Sequence, residues 1–427
     1  MFLQISCVSF FDLFDFQNTS AAIKYLSLLS PFWTTKKTHA HTLSLSLSSQ
    51  LWAIFSSRID TDTNSSEMGY QAFNRALMDD SDNFVSSFKQ LSMDSDPPFR
   101  QTYKTLFEDT KAIENLVIAV EECELPLIDL NRLSHREPAE KRESCKAEIA
   151  RASQEWGFFQ VINHGISRDL LEKMRQEQVK IFKQPFHNKT KEDKFPAGSY
   201  RWGTPTATCL RQLSWSEAFH IPMADFHAGG SGSFNTTLSS TMEQFATTVA
   251  GIAQKLAEIL AEKLGHKSTF FRENCLPSTC YLRMNRYPPC PIPVEVFGLM
   301  PHTDSDFLTI LHQDQVGGLQ LVKDGKWIAV KPNPEALIIN VGDLFQAWSN
   351  DVYKSVQHRV MTNPSVERFS TAYFLCPSYD TVIHQNCTTK PSLYRKFSFI
   401  EFRQQVQEDV QKFGHKVGLP RFLLRSH

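Results

Sequence analysis

The sequence predicts a mainly β fold with flanking helices, in which a double-stranded β-helix, or jelly roll, forms the core. Two observations lead to this fold class. Between Cys280 and Pro377, short runs rich in β-branched and aromatic residues alternate with turn residues, and no helix-like stretch separates them. Segments with a helical spacing of apolar residues precede and follow this region. Short strands at such spacing favour an antiparallel sandwich or barrel of the jelly-roll kind.

Composition narrows the class of protein. The 427 residues are 41% hydrophobic and 21% charged, which suffices for one large domain or two closely packed ones. A formal net charge of −1 gives no indication of a nucleic-acid or membrane-surface partner, and no apolar run approaches the ~20 residues that span a bilayer. The nine cysteines are scattered without a C-x-x-C pair, which argues against structural zinc and is typical of reduced thiols in the cytoplasm. Nuclear entry and the oligomeric state stay open.

We expect residues 1–97 to form a largely disordered N-terminal extension. Residues 38–50 read THAHTLSLSLSSQ, and Ser, Thr and Asp dominate the stretch that follows. This break in composition suggests that residues 1–67 are a translated leader upstream of the natural start. The candidate starts are Met68, Met78 and Met93. A transit peptide is the alternative, which the scarcity of arginine disfavours.

The first folded region, residues 120–235, is expected to combine short strands with helices. Residues 125–130 (LPLIDL) and Phe158–Ile162 (FFQVI) have the composition of strands. Between these strands, the spacing of apolar residues predicts a helix at about residues 141–156, ended by Gly157. Ser167 can cap a second helix. The apolar face of that helix consists of Leu171, Met174, Ile181 and Phe182.

Two further helices are predicted. Residues 241–264, within a supporting segment at 236–270, follow a capping box formed by Ser240 and Glu243. The last helix is predicted to start at Ser398, with Glu401 completing its capping box, inside a C-terminal helix and tail at 396–424. Its predicted apolar face consists of Phe402, Val406, Val410 and Phe413.

The predicted β core covers residues 275–380. Its seven runs are YLRMNRY, FLTILHQ, GLQLV, WIAVKP, ALIINVG, HRVMT and STAYFLC. Gly317-Gly318 separates the second run from the third. The glycine pair predicts a hairpin turn rather than a phosphate loop, because no helix start follows it.

Three residues of the core have the pattern of a metal site. His302 and Asp304 are separated by one residue, so on a strand both side chains point to the same face. His358 follows 56 residues after His302, at the start of another strand-like run. Two imidazoles and a carboxylate form the facial triad of non-haem iron(II) oxygenases, which leaves coordination positions for a 2-oxo acid and O2. Alone, this pattern is a weak signal.

Four further residues make the signal more specific. Arg368 and Ser370 again share a strand face, and a guanidinium pairs with a carboxylate through two charge-assisted hydrogen bonds. This pair can hold the distal carboxylate of 2-oxoglutarate. Asn285 and Tyr287 share a face of an upstream strand and can add polar contacts to the same acid.

These motifs resemble those of the plant 2-oxoglutarate-dependent dioxygenase family. The resemblance covers Asn285 to Cys290, His302-Thr303-Asp304, His358 and Arg368-Phe369-Ser370, and it extends from Pro98 to Leu424. The run WGFFQVINHGI, at 156–166, is similar to the N-terminal region of that family. The stretch YRWGTPTATCLRQLSWSEAFHIP, at 200–222, resembles the gibberellin 2-beta-dioxygenases that act on C20 gibberellins.

The resemblance implies a reaction and its cofactors. It implies bound iron(II), 2-oxoglutarate and O2 as co-substrates, ascorbate as reductant, and 2β-hydroxylation that inactivates gibberellin precursors. A gibberellin is a rigid apolar skeleton bearing carboxylates, so its pocket should be apolar with cationic or hydroxyl anchors. The candidate substrate residues are Tyr200, Arg201, Arg211, Trp215, Phe374 and Tyr379. For Arg211 and Trp215, a purely structural role in bracing the barrel is the alternative.

Three other functions stay open. A member of the same family could act on a flavonoid or on a gibberellin 20-oxidase substrate. A zinc hydrolase could use the same triad, but hydrolysis has no need of a carboxylate clamp such as Arg368 and Ser370. A jelly-roll protein without catalytic activity would require the ligand spacing to arise by chance.

Overall fold

Two large β-sheets, one small sheet and the helices beside them make up the part of the protein that the computed structural model describes. The described residues are 120–190, 199–204, 207, 209, 212–227, 236–290, 296–385 and 391–424. The expectations for residues 1–97 therefore lie outside the described residues, as does Arg211.

Fifteen strands occur in the described residues. They are β1 (Glu122–Cys123), β2 (Leu127–Asp129), β3 (Phe158–Ile162), β4 (Tyr200–Trp202), β5 (Glu217–Pro222), β6 (Tyr281–Tyr287), β7 (Phe297–His302), β8 (Leu308–Gln313), β9 (Leu319–Lys323), β10 (Lys326–Val330), β11 (Leu337–Val341), β12 (His358–Met361), β13 (Arg368–Leu375), β14 (Val382–Ile383) and β15 (Phe397–Ser398). The strand β7 had no counterpart among the seven predicted runs.

Eight α-helices occur in the same residues. They are α1 (Ala139–Glu155), α2 (Arg168–Phe182), α3 (Phe186–Lys189), α4 (Met223–His227), α5 (Thr236–Lys263), α6 (Thr269–Asn274), α7 (Asp343–Trp348) and α8 (Phe399–Phe413). Within the described part of the chain, no helix is both long and apolar enough to cross a membrane.

The strands form two large sheets and one small one. The eight-stranded sheet has the order β2-β3-β11-β8-β13-β6-β5-β4, the five-stranded sheet has the order β1-β10-β9-β12-β7, and β14 pairs with β15. Strands distant in sequence are hydrogen-bonded neighbours, and most pairs are antiparallel. The prediction of a mainly β jelly-roll core with flanking helices is confirmed.

Apolar packing occurs on both faces of the eight-stranded sheet. A large cluster joins one face to α1, α2 and α5, with Phe159, Phe245 and Leu282 among its fully buried members. A smaller cluster on the other face includes Phe158, Leu321 and residues of both large sheets, so it lies between them. Burial of this apolar surface is the main stabilising contribution to the fold.

The helix caps agree with the sequence in two cases and differ in a third. The side chains of Ser167 and Ser398 accept hydrogen bonds from the backbone of Leu170 and Glu401 and so cap α2 and α8 as predicted. The capping box predicted at Ser240 is wrong, because α5 already begins at Thr236. The segment from Thr236 to Ser240 contains neither Pro nor Gly, so no helix-breaking residue prevents the helix from extending toward its N-terminus.

The predicted apolar face of α8 is only partly correct. Phe402 is fully buried, but Val410 and Phe413 are each 41% exposed. In the last turns of α8 the buried residue is Asp409, which accepts hydrogen bonds from the backbone of Val417 and from the guanidinium of Arg421. Polar contacts with the returning tail therefore replace apolar packing at this end of the helix.

The Gly317-Gly318 turn is also not a hairpin. The strand β8 before it belongs to the eight-stranded sheet, whereas β9 after it belongs to the five-stranded sheet, so the turn carries the chain from one sheet to the other. Both glycines have positive φ angles, 81° and 95°. A glycine pair supports such a change of direction as readily as it supports a hairpin.

Gly157, which ends α1, offers a test of the packing there. Its φ is +64°, and a Cβ atom would lie 2.2 Å from the carbonyl oxygen of Lys354. We expect Gly157→Ala to lower the free energy of unfolding by about 2 kcal/mol or more in chemical denaturation. The matched control is Gly251→Ala in α5, where a Cβ meets nothing within 4 Å; it should raise stability by about 0.5–1 kcal/mol. Equal stability of Gly157→Ala and wild type would contradict this account.

Candidate metal and co-substrate site

A cavity of about 240 Å³ lies between the two large sheets. The five-stranded sheet contributes residues of β7, β9 and β12 to its walls, and the eight-stranded sheet contributes residues of β6, β8, β11 and β13. The seven predicted metal and co-substrate residues all line it. They are His302, Asp304, His358, Arg368, Ser370, Asn285 and Tyr287.

One end of the cavity brings together two imidazoles and a carboxylate. His302 and His358 are direct partners in the register of β7 and β12, and their ring centroids are 4.3 Å apart. The Oδ1 atom of Asp304 lies 3.5 Å from Nε2 of His302 and 3.8 Å from Nε2 of His358. All three ligand atoms lie within 4.8 Å of one another, close enough to bind one ion.

The orientation of both imidazoles suits metal binding. Nδ1 of His302 lies 2.8 Å from the carbonyl oxygen of Met300, and Nδ1 of His358 lies 3.1 Å from that of Val356. A carbonyl oxygen can only accept, so each Nδ1 carries the proton and each Nε2 presents its lone pair toward Asp304. Backbone acceptors of this kind fix the tautomer and the ring plane of histidine ligands.

The carboxylate of Asp304 is held by its other oxygen. Oδ2 accepts hydrogen bonds from the Thr309 hydroxyl at 2.6 Å and from Nδ2 of Asn340 at 2.8 Å, which leaves Oδ1 directed at the two imidazoles. Burial alone would raise the pKa of Asp304, but His358, His302 and the Thr309 hydroxyl outweigh it and lower the pKa well below its usual range. Burial, together with the neighbouring His302 imidazole, lowers the pKa of His358 to about 4. The site is thus an ionised carboxylate facing a neutral imidazole of His358.

The prediction that Asp304 shares a strand face with His302 is wrong, although Asp304 does reach the site. The strand β7 ends at His302, so Asp304 does not share a strand face with it. Instead, the carbonyl oxygen of Asp304 accepts a hydrogen bond from the backbone N–H of Asp343 at the start of α7. A turn held by the beginning of a short helix therefore directs this carboxylate into the cavity.

A lysine from the C-terminal tail supports the same turn. Nζ of Lys416 donates to the carbonyl oxygen of Thr303 at 2.7 Å and to the hydroxyl of Ser305 at 2.9 Å, the two residues that flank Asp304. It also pairs with Asp343 at 2.8 Å, and both side chains are largely buried. The tail after α8 is therefore part of the framework of the site.

The other end of the cavity is a cationic clamp. Arg368 and Ser370 on β13 are register partners of Tyr287 and Asn285 on β6. The Arg368 guanidinium lies 4.9 Å from the Tyr287 ring centroid and donates to Oε1 of Gln313 at 2.8 Å. Nη1 of Arg368 lies 3.5 Å from the Ser370 hydroxyl, to which the Asn285 amide donates at 3.4 Å. The four side chains thus converge on one region.

Two buried donors in this clamp have no partner in the described structure. They are Nε of Arg368 and Nε2 of Gln313. A buried donor without an acceptor costs free energy, and such atoms are normally paired. Arg368 lines the cavity, so a ligand carboxylate there can accept from its Nε. The clamp therefore fits the distal acid of 2-oxoglutarate, and the triad fits a divalent metal such as iron(II).

The candidate substrate residues do not lie together in the structure. Phe374 lines the cavity, where its ring stacks on that of Tyr281 at 4.4 Å. The Tyr200 hydroxyl donates to buried Glu217 at 2.6 Å, and Trp215 is fully buried in a separate apolar cluster. Arg201 is exposed, and Tyr379 is 44% exposed and stacks on Phe399.

Four residues that position the site were not singled out from the sequence. Thr309, Asn340 and Gln313 are polar residues within apolar strand runs, and such residues are buried only when they have partners, so their type and place were a usable signal. Lys416 gave no such signal, because it belongs to a polar tail and reaches the site through a contact 113 residues away in sequence.

Comparison with protein families identifies two regions of the chain. A model described as the 2OG-Fe(II) oxygenase superfamily matches residues 278–377, which include all seven cavity residues named above. A model described as the N-terminal region of non-haem dioxygenases in morphine synthesis matches residues 125–229.

Several known proteins are similar over most of their length. The chain is 66% identical to gibberellin 2-beta-dioxygenase 8 of Arabidopsis thaliana, across 77% of this chain and 98% of that protein. It is 51% identical to gibberellin 2-beta-dioxygenase 6 of Oryza sativa subsp. japonica, across 72% and 87%. Gibberellin 20 oxidase 1-D of Triticum aestivum is more distant, at 32% identity across 67% and 84%.

A solved structure shares the fold. The crystal structure of JOX2 in complex with 2OG, Fe and JA superimposes with a TM-score of 0.59 at 30% identity, and the match covers 72% of this chain and 93% of that one.

The Thr309 hydroxyl provides a test of how the carboxylate of Asp304 is positioned. Thr309→Val keeps the shape and removes the hydroxyl that donates to Asp304 and, at 3.0 Å, to Asp306. We expect it to weaken divalent metal binding about tenfold or more. Anaerobic titration with iron(II), or with cobalt(II) followed by its visible spectrum, measures this. The matched control is Thr371→Val on β13, whose equally buried hydroxyl bonds to Gln178 instead. Equal metal affinity in the two variants would show that the bond to Asp304 has no such role.

Proposed function

We propose a gibberellin as the substrate of this chain, which belongs to the 2-oxoglutarate- and iron(II)-dependent oxygenase superfamily. The observation that carries the proposal is the 66% identity to a gibberellin 2-beta-dioxygenase across 98% of that protein's length. The proposed reaction is 2β-hydroxylation of a C20 gibberellin, which removes a hormone precursor. The 20-oxidase relative, at 32% identity, makes oxidation at another carbon the alternative.

Each end of the cavity has a proposed role in this reaction. His302, Asp304 and His358 are proposed to bind iron(II), and the bound metal supplies oxidation of an unactivated C–H bond. Arg368 and Ser370 are proposed to hold the distal carboxylate of 2-oxoglutarate through charge-assisted hydrogen bonds. Burial of Arg368, only 2% exposed, strengthens that attraction because it excludes water.

Asn285 and Tyr287 have supporting roles in the proposed clamp. The Asn285 amide orients the Ser370 hydroxyl, and the Tyr287 ring lies under the Arg368 guanidinium. A guanidinium stacked on an aromatic face loses less conformational freedom when it pairs with a carboxylate. The clamp is therefore largely organised before the co-substrate arrives, which limits the entropy lost on binding.

The remaining cavity wall suits a rigid apolar skeleton. Apolar side chains line it between the two polar ends, and they come from both sheets. They are Phe158, Leu299, Leu311, Leu319, Val360, Ala372 and Phe374. We assign Phe374 to the substrate wall. Tyr200 and Trp215 are assigned to bracing the sheet, since their polar atoms bond to Glu217 and to the Pro289 carbonyl.

Two finer features of the proposal concern conditions in the cell. All seven cysteines in the described residues are free thiols, which supports a cytoplasmic location and leaves nuclear entry open. Ascorbate is proposed as the reductant that keeps the iron in its divalent state between turnovers.

The proposed function is tested by product analysis. Protein purified anaerobically and loaded with iron(II) is incubated with 2-oxoglutarate, ascorbate, O2 and a panel of C20 and C19 gibberellins. We expect a C20 gibberellin to gain one oxygen at the 2β position, identified by mass spectrometry against an authentic standard, and His302→Ala to abolish the product. A product oxidised at C-20 would favour the 20-oxidase alternative. Succinate formation without any oxidised gibberellin would refute the substrate class and retain the oxygenase.

A further inference from the structure

Arg283 is a cavity residue to which neither the metal site nor the clamp assigns a role. It lies on β6 with its side chain half-buried in the cavity wall. Its Nε donates to Oδ1 of Asn285 at 2.8 Å. In the part of the chain that the structure describes, neither terminal nitrogen of Arg283 has a hydrogen-bond acceptor. Two donor groups are therefore available on the cavity side of this strand.

The register of the sheet places a second arginine on the same face. His220 on β5 pairs with Arg283, Ala218 pairs with Asn285, and Arg201 on the edge strand β4 pairs with Ala218. Register partners point to the same side of a sheet. Arg201 and His220 therefore project from the cavity face, outward along the sheet from Arg283.

A third arginine approaches from the C-terminal helix. Arg403 on α8 donates to the Tyr379 hydroxyl at 3.2 Å, and its guanidinium lies 5.5 Å from the centroid of that ring. Burial, together with the positive charges of Arg283, Arg201 and Arg403, lowers the pKa of His220 to about 4. All three guanidiniums are thus near the same imidazole, which stays neutral at physiological pH.

These three arginines have no acidic partner among the described residues. Two neighbouring cations do have one: Arg286 pairs with Glu217, and Lys183 pairs with Glu367. Within the same part of the chain Arg368 also lacks an acidic partner, and it is the residue assigned to the co-substrate. Like charges brought together without a counter-ion destabilise a fold. A positively charged group beside a cavity, left unneutralised by the protein, is suited to an anionic ligand.

An aromatic stack lies beside this group. His220 stacks on Tyr281 at 4.0 Å, and Tyr281 stacks on Phe374 at 4.4 Å. Tyr281, Phe374 and Arg283 all line the cavity. A ligand with an apolar body and an acidic end can place its body against these rings and its acid on the guanidiniums.

We propose that Arg283, assisted by Arg201 and Arg403, binds a carboxylate of the substrate and so selects acidic substrates. This inference rests on the proposed function for the identity of the substrate, since gibberellins carry the required carboxylate. The two-nitrogen face of Arg283 matches a carboxylate in a bidentate pair. Arg283 is a specificity-determining residue in this account, and Arg201 and Arg403 add long-range attraction at exposed positions.

The competing structural reading is that Arg283 only orients Asn285. The two readings differ in their dependence on substrate charge. Removing a brace on Asn285 would weaken 2-oxoglutarate binding and would affect acidic and neutral substrates alike. Removing a carboxylate anchor would weaken binding of the acid and leave its ester nearly unchanged.

The test is anaerobic equilibrium binding to the full-length protein loaded with iron(II) and 2-oxoglutarate. The probes are a C20 gibberellin and its methyl ester, and the variants are Arg283→Gln and Arg283→Lys. For Arg283→Gln we expect the Kd of the acid to rise about tenfold to a hundredfold while that of the ester changes less than about threefold. Arg283→Lys should recover part of the loss, because it keeps the charge. The control Arg272→Gln removes an exposed arginine paired with Glu258 and should change neither Kd.

An unchanged Kd for the acid, or equal losses for acid and ester, would overturn the anchor. Turnover by the wild-type protein keeps this result separate from the proposed function. Charge-selective binding without oxidation would retain the anchor and refute the gibberellin oxygenase. Oxidation of the gibberellin with no effect of Arg283→Gln on binding would refute the anchor and retain the gibberellin oxygenase. Failure of the wild-type protein to bind either probe would overturn both.

Discussion

The site depends on one carboxylate whose two oxygens face two different sets of partners. Oδ2 of Asp304 is held by Thr309 and Asn340, and Oδ1 faces His302 and His358. The two imidazoles belong to the five-stranded sheet, whereas Thr309 and Asn340 belong to the eight-stranded sheet. The proposed ligand set is therefore complete only when both sheets have formed and packed together. This links metal binding to the global fold rather than to a local loop.

The proposed co-substrate clamp depends on the pairing of two adjacent strands. Its four residues lie in two register pairs of adjacent strands, so their relative positions are fixed by backbone hydrogen bonds. Gln178 of α2 strengthens this arrangement, since its amide donates to the carbonyl oxygens of both Asn285 and Ser370. A helix from the N-terminal region thus holds together the two strands that carry the clamp. Such external support is what keeps a site within the narrow geometry that catalysis requires.

The sequence allowed the strands and the local pairs to be predicted, because residues two apart on a strand share a face whatever the fold. This is why Arg368 with Ser370 and Asn285 with Tyr287 could be recognised. Asp304 was assigned to the site for the wrong reason, since the turn that directs it depends on Asp343, 39 residues later. Arg283 was passed over because its missing counter-ion is visible only when strands distant in sequence are aligned. Val410 and Phe413 were misplaced because helical periodicity identifies an apolar stripe but does not reveal where the neighbouring core ends.

The central claim is that the triad and the clamp together hold iron(II) and a 2-oxo acid, and one titration tests it most directly. Iron(II)-loaded protein is titrated with 2-oxoglutarate without oxygen, and the visible charge-transfer absorption of the chelate is recorded. We expect a saturable band for the wild-type protein, no band for Asp304→Ala, and saturation only at much higher 2-oxoglutarate for Arg368→Gln, with unchanged circular dichroism in both variants. A band of wild-type strength in Asp304→Ala, or an unchanged midpoint in Arg368→Gln, would contradict the account.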